Sequence, residues 1–478
     1  MGIALLKKIN ERLPDSIKMV AAPLIRSGLI KNSAFIEQYR VLEAAESFNE
    51  HELDELQFNQ LKTTLIHAYE HTSYYCNLFK QVNFNPYQFE TAKELRRIPL
   101  LTKKLILSNF EALQADDVLD FYVGETGGST GKPLRVLLDR SSIYKEKAFI
   151  YHFWSHYGYD YETSRIATFR GVDFGGRISK INPLYNEVIL NPFALSEINI
   201  TEYVQKIERF GAEFIHGYPS AISNFCRLLN KRRIELNKIK AVFLISESCS
   251  EAQKAIIERT LACPAVAFYG HTERAVFAEQ CGTDILYKFN PLYGYTEFVE
   301  REEGNIVCTG FLNSKFPLIR YALDDKAIDI GNRTYWIEGH HSSAYLYGRN
   351  GEQITQTAIN FHDNTFAQVE SYQFYQDKKG YAECRVTSEI SLYESDLERI
   401  KRQLEEKTGA SLIWRVTQVP QLELTNRGKF KMIIQKVDIS MGGGAYRRLI
   451  ANPVTILNFT IGGVALLHLA RRWQYECY

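Results

Sequence analysis

Residues 124–133, GETGGSTGKP, combine the backbone and side-chain groups that bind phosphate. Glycines adopt backbone conformations closed to other residues, and consecutive N–H groups in such a turn bind anions. The segment adds hydroxyl donors and a positive charge, from Thr126, Ser129, Thr130 and Lys132. It is not a P-loop, because that motif needs a glycine at Thr126 and a hydroxyl at Pro133. The sequence predicts a phosphate-binding loop, with a tight surface turn between two strands as the alternative.

A second candidate site lies in residues 268–273, FYGHTE, where a strand is predicted to end in a glycine turn. The aromatic ring of Tyr269 beside this turn can stack on a nucleobase. The Glu273 carboxylate can hold magnesium, since magnesium binds through one or two carboxylates together with substrate phosphates. The alternative is an ordinary strand end with a solvated Glu273.

Three further segments carry charged groups. Residues 317–325, PLIRYALDD, bring two adjacent carboxylates to the end of an apolar strand, and one of them can accept hydrogen bonds from both hydroxyls of a ribose. Arg349 lies between glycines, and residues 424–431 form a basic glycine turn that contains Lys429. Taken singly, the first segment favours a charged strand terminus, and each of the others is compatible with a hinge or a surface turn.

The composition is that of a globular protein that needs no disulfides. The 478 residues are enough for two or three domains, and the net charge of +1 gives no indication of a nucleic-acid surface. Eight cysteines without a C-x-x-C spacing predict free thiols in a reducing cytosol. The N-terminus has too short an apolar run for a signal peptide, so we predict a cytoplasmic protein.

Alternating strands and helices predict the α/β framework that must position these segments. Residues 1–100 are predicted to be helical. The next elements alternate as strand, helix, strand, helix and strand, at 213–216, 220–231, 240–246, 250–261 and 265–270. This rhythm predicts a parallel or mixed sheet with helices on both faces and ligands beyond the carboxyl ends of its strands. Both FYGHTE and IHGYPS (215–220) lie at that edge.

Beyond residue 285 the pattern changes to short strands, and after Gly348 a smaller α+β unit follows. Its predicted elements are three strands and one helix, at 366–375, 381–387, 412–419 and 394–408.

The C-terminal residues 454–470 form a run of 17 residues without a formal charge. Because the run is slightly short for a bilayer span and contains Asn458 and His468, a buried or interfacial helix is favoured. Arginine pairs at 447–448 and 471–472 flank it. These arginines are compatible with a helix that lies at a membrane surface. They are equally compatible with a tail that docks on the protein and keeps its flanking arginines in solvent.

In this order and spacing, the five motifs resemble those of the acyl-adenylate-forming superfamily. Within it they are most similar to the phenylacetate–CoA ligase-like branch and its capsular-polysaccharide-biosynthesis relatives. Residues 61–79 and 98–106 (IPLLTKKLI) resemble the opening of that branch. The resemblance covers roughly residues 40–437. It implies a large N-terminal domain at 1–347 and a small mobile C-terminal domain at 348–440. The Gly-rich linker and apolar tail at 441–478 lie outside the family pattern.

The resemblance implies two half-reactions. A carboxylate attacks the α-phosphate of ATP and gives an acyl-adenylate and pyrophosphate, and a thiol, usually that of coenzyme A, then takes the acyl group. The residues implied to bind the β- and γ-phosphates are Thr126, Gly127, Gly128, Ser129, Thr130, Gly131 and Lys132.

Further roles follow from the matching motifs. Tyr269 and Gly270 would flank the adenine, with Thr272 near the α-phosphate and Glu273 on magnesium. Asp325 would hold the ribose with help from Arg349. Lys429 would reach the substrate carboxylate and the α-phosphate, and IHGYPS would border the acyl pocket.

The chain departs from the family pattern in three places. Asp324 replaces the usual glycine before the ribose aspartate, and residues 350–352 stand where aspartates commonly start the hinge. Some relatives carry cysteines and a histidine that suggest a bound metal. This chain has Cys281 and Cys308 but GHHSS at 339–343, and we predict no structural zinc.

Three functions are compatible with these observations. The first is an AMP-forming carboxylate ligase that makes an acyl-CoA from a small-molecule acid. The second keeps adenylation but transfers an acyl or aminoacyl group to a sugar or carrier in surface-polysaccharide assembly. The third is a non-catalytic scaffold of a membrane biosynthetic complex, against which the phosphate loop, Glu273, Asp325 and Lys429 all argue.

Overall fold

The computed structural model describes most of the chain between residues 32 and 437. The described residues are 32–125, 134–171, 177–247, 249, 251–282, 285–300, 305–338, 345–355, 359, 364–366, 368–369, 371–388, 390–423 and 432–437. In this part of the chain every helix is too short or too polar to cross a membrane. The apolar run at 454–470 lies outside the described residues.

The predicted helical lead-in is confirmed where it is described, with three α-helices and two 3-10 turns before residue 100. The α-helices are α1 (Ser33–Ala45), α2 (Glu50–His71), α3 (Ser73–Gln81), α4 (Lys103–Ser108), α5 (Arg140–Ser155), α6 (Ile200–Phe210), α7 (Pro219–Arg232), α8 (Glu251–Leu261) and α9 (Glu394–Thr408). The capping box at the start of α2, in which Asn49 and Glu52 each bond the other's backbone N–H, fixes where this long helix begins.

The strands fall into one large sheet and several small ones. They are β1 (Phe121–Glu125), β2 (Arg135–Asp139), β3 (Ile166–Phe169), β4 (Ser179–Asn182), β5 (Glu187–Leu190), β6 (Phe214–Gly217), β7 (Ala241–Leu244), β8 (Ala265–Gly270), β9 (Phe277–Cys281), β10 (Leu286–Phe289), β11 (Gly294–Phe298), β12 (Ile306–Gly310), β13 (Tyr321–Ala322), β14 (Lys326–Gly331), β15 (Thr334–Glu338), β16 (Leu346–Tyr347), β17 (Gln353–Ile354), β18 (Ser371–Gln376), β19 (Tyr381–Thr387), β20 (Ile413–Gln418) and β21 (Ile433–Gln435).

A ten-stranded mixed sheet forms the centre of the fold, in the order β14-β15-β10-β9-β8-β7-β6-β3-β5-β4. Its strands β8, β7, β6, β3 and β5 are parallel, and the strands on either side pair antiparallel. Parallel strands end at the same edge of a sheet, so the turns after Gly217, Leu244 and Gly270 lie at one edge. The predicted α/β fold with a mixed sheet is confirmed.

Helices cover both faces of this sheet, as predicted. Phe214 and Phe243 point to one face and pack in a core with α1 and α5. Ile215 and Val242, the neighbours in sequence, point to the other face and pack with α6, α7 and α8. Successive side chains of a strand alternate between faces, and both sets are apolar because both faces are buried.

The C-terminal elements form a four-stranded sheet in the order β20-β19-β18-β21, with α9 packed on it. Its core contains Phe374, Leu404 and Trp414. The strand predicted near 366–375 begins later, at Ser371. Residues Asn364–Phe366 form a 3-10 turn instead, and the Phe366 ring stacks on Tyr372 at 4.4 Å, so this aromatic joins the core from outside the strand. We call β16–β21 with α9 the C-terminal module; the domain boundary at 347–348 stays a prediction.

Candidate active site

The turn after β8 carries two predicted site residues that differ in their solvent exposure. The backbone N–H of Arg274 donates to the carbonyl of His271 at 3.0 Å, which closes the turn. Thr272 is exposed, whereas Glu273 is buried with 4% of its surface accessible. Arg274 anchors the turn to α5, because its guanidinium donates to Glu146 at 2.8 Å and to the Ser142 hydroxyl at 2.7 Å. The turn thus has one hydroxyl facing solvent and one carboxylate held inside.

Glu273 has a buried phenol as its partner. The Tyr321 hydroxyl donates to Glu273 Oε1 at 3.0 Å, and the Tyr321 side chain is fully buried. Burial, reinforced by the Glu273 charge, raises the pKa of Tyr321, so the phenol keeps its proton and acts as the donor. A carboxylate that accepts a hydrogen bond from a phenol through one oxygen retains acceptor capacity for a cation on the other.

Tyr269 and Asp325, predicted to contact one nucleoside, meet at this edge of the sheet. The Tyr269 hydroxyl donates to Asp325 Oδ2 at 2.7 Å. Tyr269 is the penultimate residue of β8. Asp325 precedes β14, and 4% of its surface is accessible. Burial and the Asp325 charge raise the pKa of Tyr269 well above its ordinary value. A phenol and a carboxylate that lie 56 positions apart in the sequence therefore form one polar pair.

His271 completes this cluster and was not singled out from the sequence. Its Nε2 lies 2.7 Å from the Tyr269 hydroxyl oxygen and 3.1 Å from Asp325 Oδ2. Burial alone lowers the pKa of His271, but the hydrogen bond and charge of Asp325 outweigh it, and the net pKa is raised. The protonated imidazole is therefore favoured next to Asp325.

The two adjacent aspartates have different partners. Asp324 accepts from the Lys103 ammonium at 2.5 Å, whereas Asp325 faces Tyr269 and His271. Lys103 begins α4 and belongs to the IPLLTKKLI segment, whose lysines received no role from the sequence. Asp324, which replaces the usual glycine, thus forms an ion pair with Lys103.

Two glycines of the β11–β12 hairpin allow its backbone to contact the backbone of the turn after β8. A Cβ atom on Gly310 would lie 2.8 Å from Ala275 Cα and 2.9 Å from the Arg274 carbonyl oxygen. A Cβ on Gly294, its partner across the β11–β12 pair, would lie 2.8 Å from the Ala275 carbonyl oxygen. The β11–β12 hairpin therefore packs directly against the turn that carries Glu273.

The IHGYPS segment lies at the same edge, at the end of β6. Gly217 has a φ of +146°, and a Cβ there would meet the Phe169 carbonyl oxygen at 2.5 Å, so only glycine fits. His216 packs its ring against Trp154, with centroids 5.1 Å apart, and places Nδ1 3.3 Å from the Thr168 hydroxyl. Burial, with a smaller effect of a nearby arginine, lowers the pKa of His216 to about 3. This histidine is therefore neutral throughout the physiological range.

Hydrogen bonds join this edge of the sheet to the C-terminal module, and Tyr218 of the segment packs against the core of the module. Glu247, which follows β7, accepts from the backbone N–H of Ser220 at 3.2 Å and from the Thr355 hydroxyl. The Ser411 hydroxyl donates to the Phe193 carbonyl at 2.9 Å. Burial raises the pKa of Glu247, and its hydrogen bonds only partly offset this. These contacts hold the C-terminal module against the sheet edge.

Arg349 does not join the Tyr269 cluster in this conformation. Its backbone N–H donates to the Ser411 carbonyl at 2.9 Å, and its side chain lies against Gly380 of the C-terminal module. Among the described residues it makes no ion pair with Asp325. The predicted ribose role of Arg349 stays a prediction.

Several predicted site residues lie outside the described part of the chain. They are the phosphate-loop residues Thr126, Gly127, Gly128, Ser129, Thr130, Gly131 and Lys132, together with Lys429. The GHHSS segment at 339–343 also lies outside it. The strands that flank the phosphate loop are described, and β1 pairs antiparallel with β2 from Phe121↔Asp139 to Glu125↔Arg135.

Comparison with known proteins finds similarity over nearly the whole chain. It is 22% identical over 456 residues to Protein CapK of Staphylococcus aureus, an alignment that covers 87% of this chain and 98% of that protein. It is 31% identical over 106 residues to phenylacetate-coenzyme A ligase of Escherichia coli (strain K12), which covers 21% and 24% of the two chains. A solved 2-hydroxyisobutyryl-CoA ligase, in complex with 2-HIB-AMP and CoA, aligns with a TM-score of 0.49 at 16% identity over 81% of this chain and 90% of that one. No protein-family model matches.

Proposed function

We propose that the chain is an AMP-forming carboxylate ligase of the acyl-adenylate-forming superfamily, in its phenylacetate–CoA ligase-like branch, to whose named members it is similar. It activates a small organic acid with ATP, releases pyrophosphate, and passes the acyl group to coenzyme A. The relative named phenylacetate-coenzyme A ligase supports coenzyme A as the acceptor.

One observation carries the proposal. Tyr269 and Asp325 were assigned to adenine and ribose from separate motifs, and they lie within hydrogen-bond distance at the carboxyl edge of the parallel strands. Ligands of such sheets bind beyond this edge. A nucleoside placed there would have the Tyr269 ring beside its base and the Asp325 carboxylate beside its sugar hydroxyls.

The neighbouring turn supplies groups for phosphoryl chemistry. Adenylation builds negative charge on the phosphoryl oxygens, so positive groups and hydrogen-bond donors aimed at them lower the barrier. Thr272, exposed on the turn, is the proposed donor to the α-phosphate. Lys429 is the proposed cation that orients the substrate carboxylate against that phosphorus, and residues 126–132 would bind the leaving pyrophosphate.

Glu273 is the proposed magnesium ligand. Its carboxylate is buried and is hydrogen-bonded by Tyr321 through Oε1, which leaves Oε2 as the oxygen proposed to face the cation. A single carboxylate with substrate phosphates is a typical donor set for magnesium. When bound, magnesium would neutralise charge on the phosphate oxygens.

In the proposed reaction, Lys429 leaves the site after adenylation so that the thiol can react. This departure requires the proposed C-terminal domain to move. The Glu247–Thr355 and Ser411–Phe193 hydrogen bonds would then break. The movement would also separate Phe193 and Tyr218 from the core of the C-terminal module, in which they pack. The structure therefore represents one of at least two proposed arrangements.

The test is pyrophosphate release from ATP and magnesium across a panel of carboxylic acids, for the wild type and Lys429→Ala. We expect acid-dependent release by the wild type and a loss of at least about a hundredfold in the variant, since one charged transition-state contact is worth about 3 kcal/mol. Thioester formation from supplied acyl-adenylate and coenzyme A should survive in Lys429→Ala. Equal loss of both steps would refute the role of Lys429, and pyrophosphate release without thioester formation would favour a sugar or carrier acceptor.

A further inference from the structure

Two helices end side by side on the α1–α5 face of the sheet. Glu46 is the C-cap residue of α1, and His156 is the C-cap residue of α5. His152 lies four residues before His156, so the two imidazoles project from the same side of α5. None of these three residues belongs to the proposed nucleotide site.

The three side chains converge on one point. Glu46 Oε1 lies 3.0 Å from His152 Nε2 and 3.2 Å from His156 Nε2. The potential ligand atoms of all three lie within 4.8 Å of one another. A tetrahedral cation with bonds of about 2.1 Å separates its ligand atoms by about 3.4 Å. The two carboxylate–imidazole distances are close to this separation, and the two imidazole nitrogens lie within 4.8 Å of each other.

His152 is buried with an unpartnered nitrogen aimed into the cluster. Its side chain is 8% exposed, and its Nε2 makes no hydrogen bond, although Glu46 Oε1 lies 3.0 Å away. A buried polar atom without a partner is costly and uncommon in a native protein. A bound cation would satisfy this nitrogen. Glu46 and His156 are 55% and 44% exposed, which leaves a path for entry and room for water as a further ligand.

The backbone also favours a positive charge at this place. The C-terminal end of a helix carries the negative end of its dipole and unpaired carbonyl groups. Here α1 and α5 both end at the cluster, because Glu46 and His156 are their C-cap residues.

We propose that Glu46, His152 and His156 bind a divalent transition-metal cation of the zinc type. Two imidazole nitrogens and one carboxylate, with water in the fourth position, are an established zinc ligand set. The cation would join α1 to α5 and so fix the N-terminal helix on the central sheet. This proposal departs from the sequence-based prediction of no structural zinc, which was argued from Cys281, Cys308 and residues 339–343, because it rests on other residues.

A second pair of histidines four residues apart provides a matched control. His67 Nε2 is hydrogen-bonded to Asp117 at 3.1 Å, and His71 Nδ1 lies 3.0 Å from Asp116. Both side chains are more exposed than His152, at 23% and 33%. This pair has the same spacing without a buried unpartnered nitrogen, so it is expected to bind zinc weakly.

The test is competitive zinc titration of the metal-free full-length protein against a chromophoric chelator. We expect one bound zinc in the wild type and in His71→Ala, and affinity losses of about a hundredfold in His156→Ala and Glu46→Gln. Both site variants change exposed side chains, and circular dichroism verifies their folding. Substitution with Co²⁺ should give the visible absorption of a low-coordinate site without thiolate charge-transfer bands.

Three results would overturn the proposal. The first is a wild type that takes up no zinc at micromolar concentration. The second is unchanged affinity in both site variants, or loss of binding in His71→Ala. The third is a thiolate charge-transfer band, which would assign the cation to cysteines.

Discussion

His216 should make the stability of the protein depend on pH in a defined direction. Its pKa is lowered to about 3 in the folded protein by burial, with a smaller effect of Arg170, against about 6.5 in an unfolded chain. Between these values the unfolded state binds the proton more readily, so the free energy of unfolding falls as pH drops from about 6.5 to about 3. At pH 5 this single histidine lowers it by about 2 kcal/mol relative to pH 8.

The perturbation is His216→Asn, which keeps a polar atom near the position of Nδ1 and removes the titration. Urea unfolding at pH 5 and pH 8, followed by tryptophan fluorescence, measures the effect, because Trp154 contacts the His216 ring. The variant should gain about 2 kcal/mol relative to the wild type on going from pH 8 to pH 5.

His271→Asn is the control, because its effect on stability at low pH is expected to have the opposite sign. The pKa of His271 is raised in the folded protein, so its contribution is present below about 6.5 and is lost as pH rises through the folded value. This variant should lose stability relative to the wild type at pH 5. If His216→Asn and the wild type show the same pH dependence within about 0.5 kcal/mol, the inferred burial of a neutral His216 is wrong.

Three further predictions concern the site and the tail. Tyr321→Phe should lower stability by about 2 kcal/mol in thermal unfolding, because Glu273 loses a buried hydrogen bond, whereas Tyr87→Phe on the surface should be nearly neutral. Gly310→Ala should cost about 1–3 kcal/mol, since its Cβ would press on the backbone of the adjacent turn; an unchanged melting temperature would contradict that contact. Deleting residues 441–478 should move the protein from the membrane to the soluble fraction without affecting adenylation, and unchanged partitioning would count against membrane docking.

The elements of the fold were predictable because their signals are local. The strand Ala265–Gly270 and the helix Glu394–Thr408 have the predicted bounds, since an apolar run or an amphipathic pattern is read over a few residues. The predicted start of a strand near residue 366 was wrong, because the Phe366 ring reaches the core from a 3-10 turn. A short apolar run alone does not reveal that geometry.

Sequence motifs predicted candidate site residues, but the contacts that these residues make could not be predicted. Tyr269, Glu273 and Asp325 were assigned from their segments, but their contacts depend on how distant parts of the chain meet. Lys103 and Asp324 are 221 positions apart in an ion pair that no local pattern encodes. The Glu46–His156 contact, 110 positions apart, was missed for the same reason. The four-residue spacing of the two histidines was the signal available in the sequence.

The central claim is a nucleotide site built on Asp325, and its most direct test is binding of ATP with magnesium to three proteins. Asp324→Asn is the matched control, because its carboxylate pairs with Lys103 instead of facing Tyr269. Isothermal titration should show binding by the wild type and Asp324→Asn. It should show a loss of about 10- to 100-fold for Asp325→Asn, as expected when charged hydrogen bonds worth about 1.5–3 kcal/mol are removed. Unchanged binding by Asp325→Asn, or no binding by the wild type at millimolar ATP, would contradict the account.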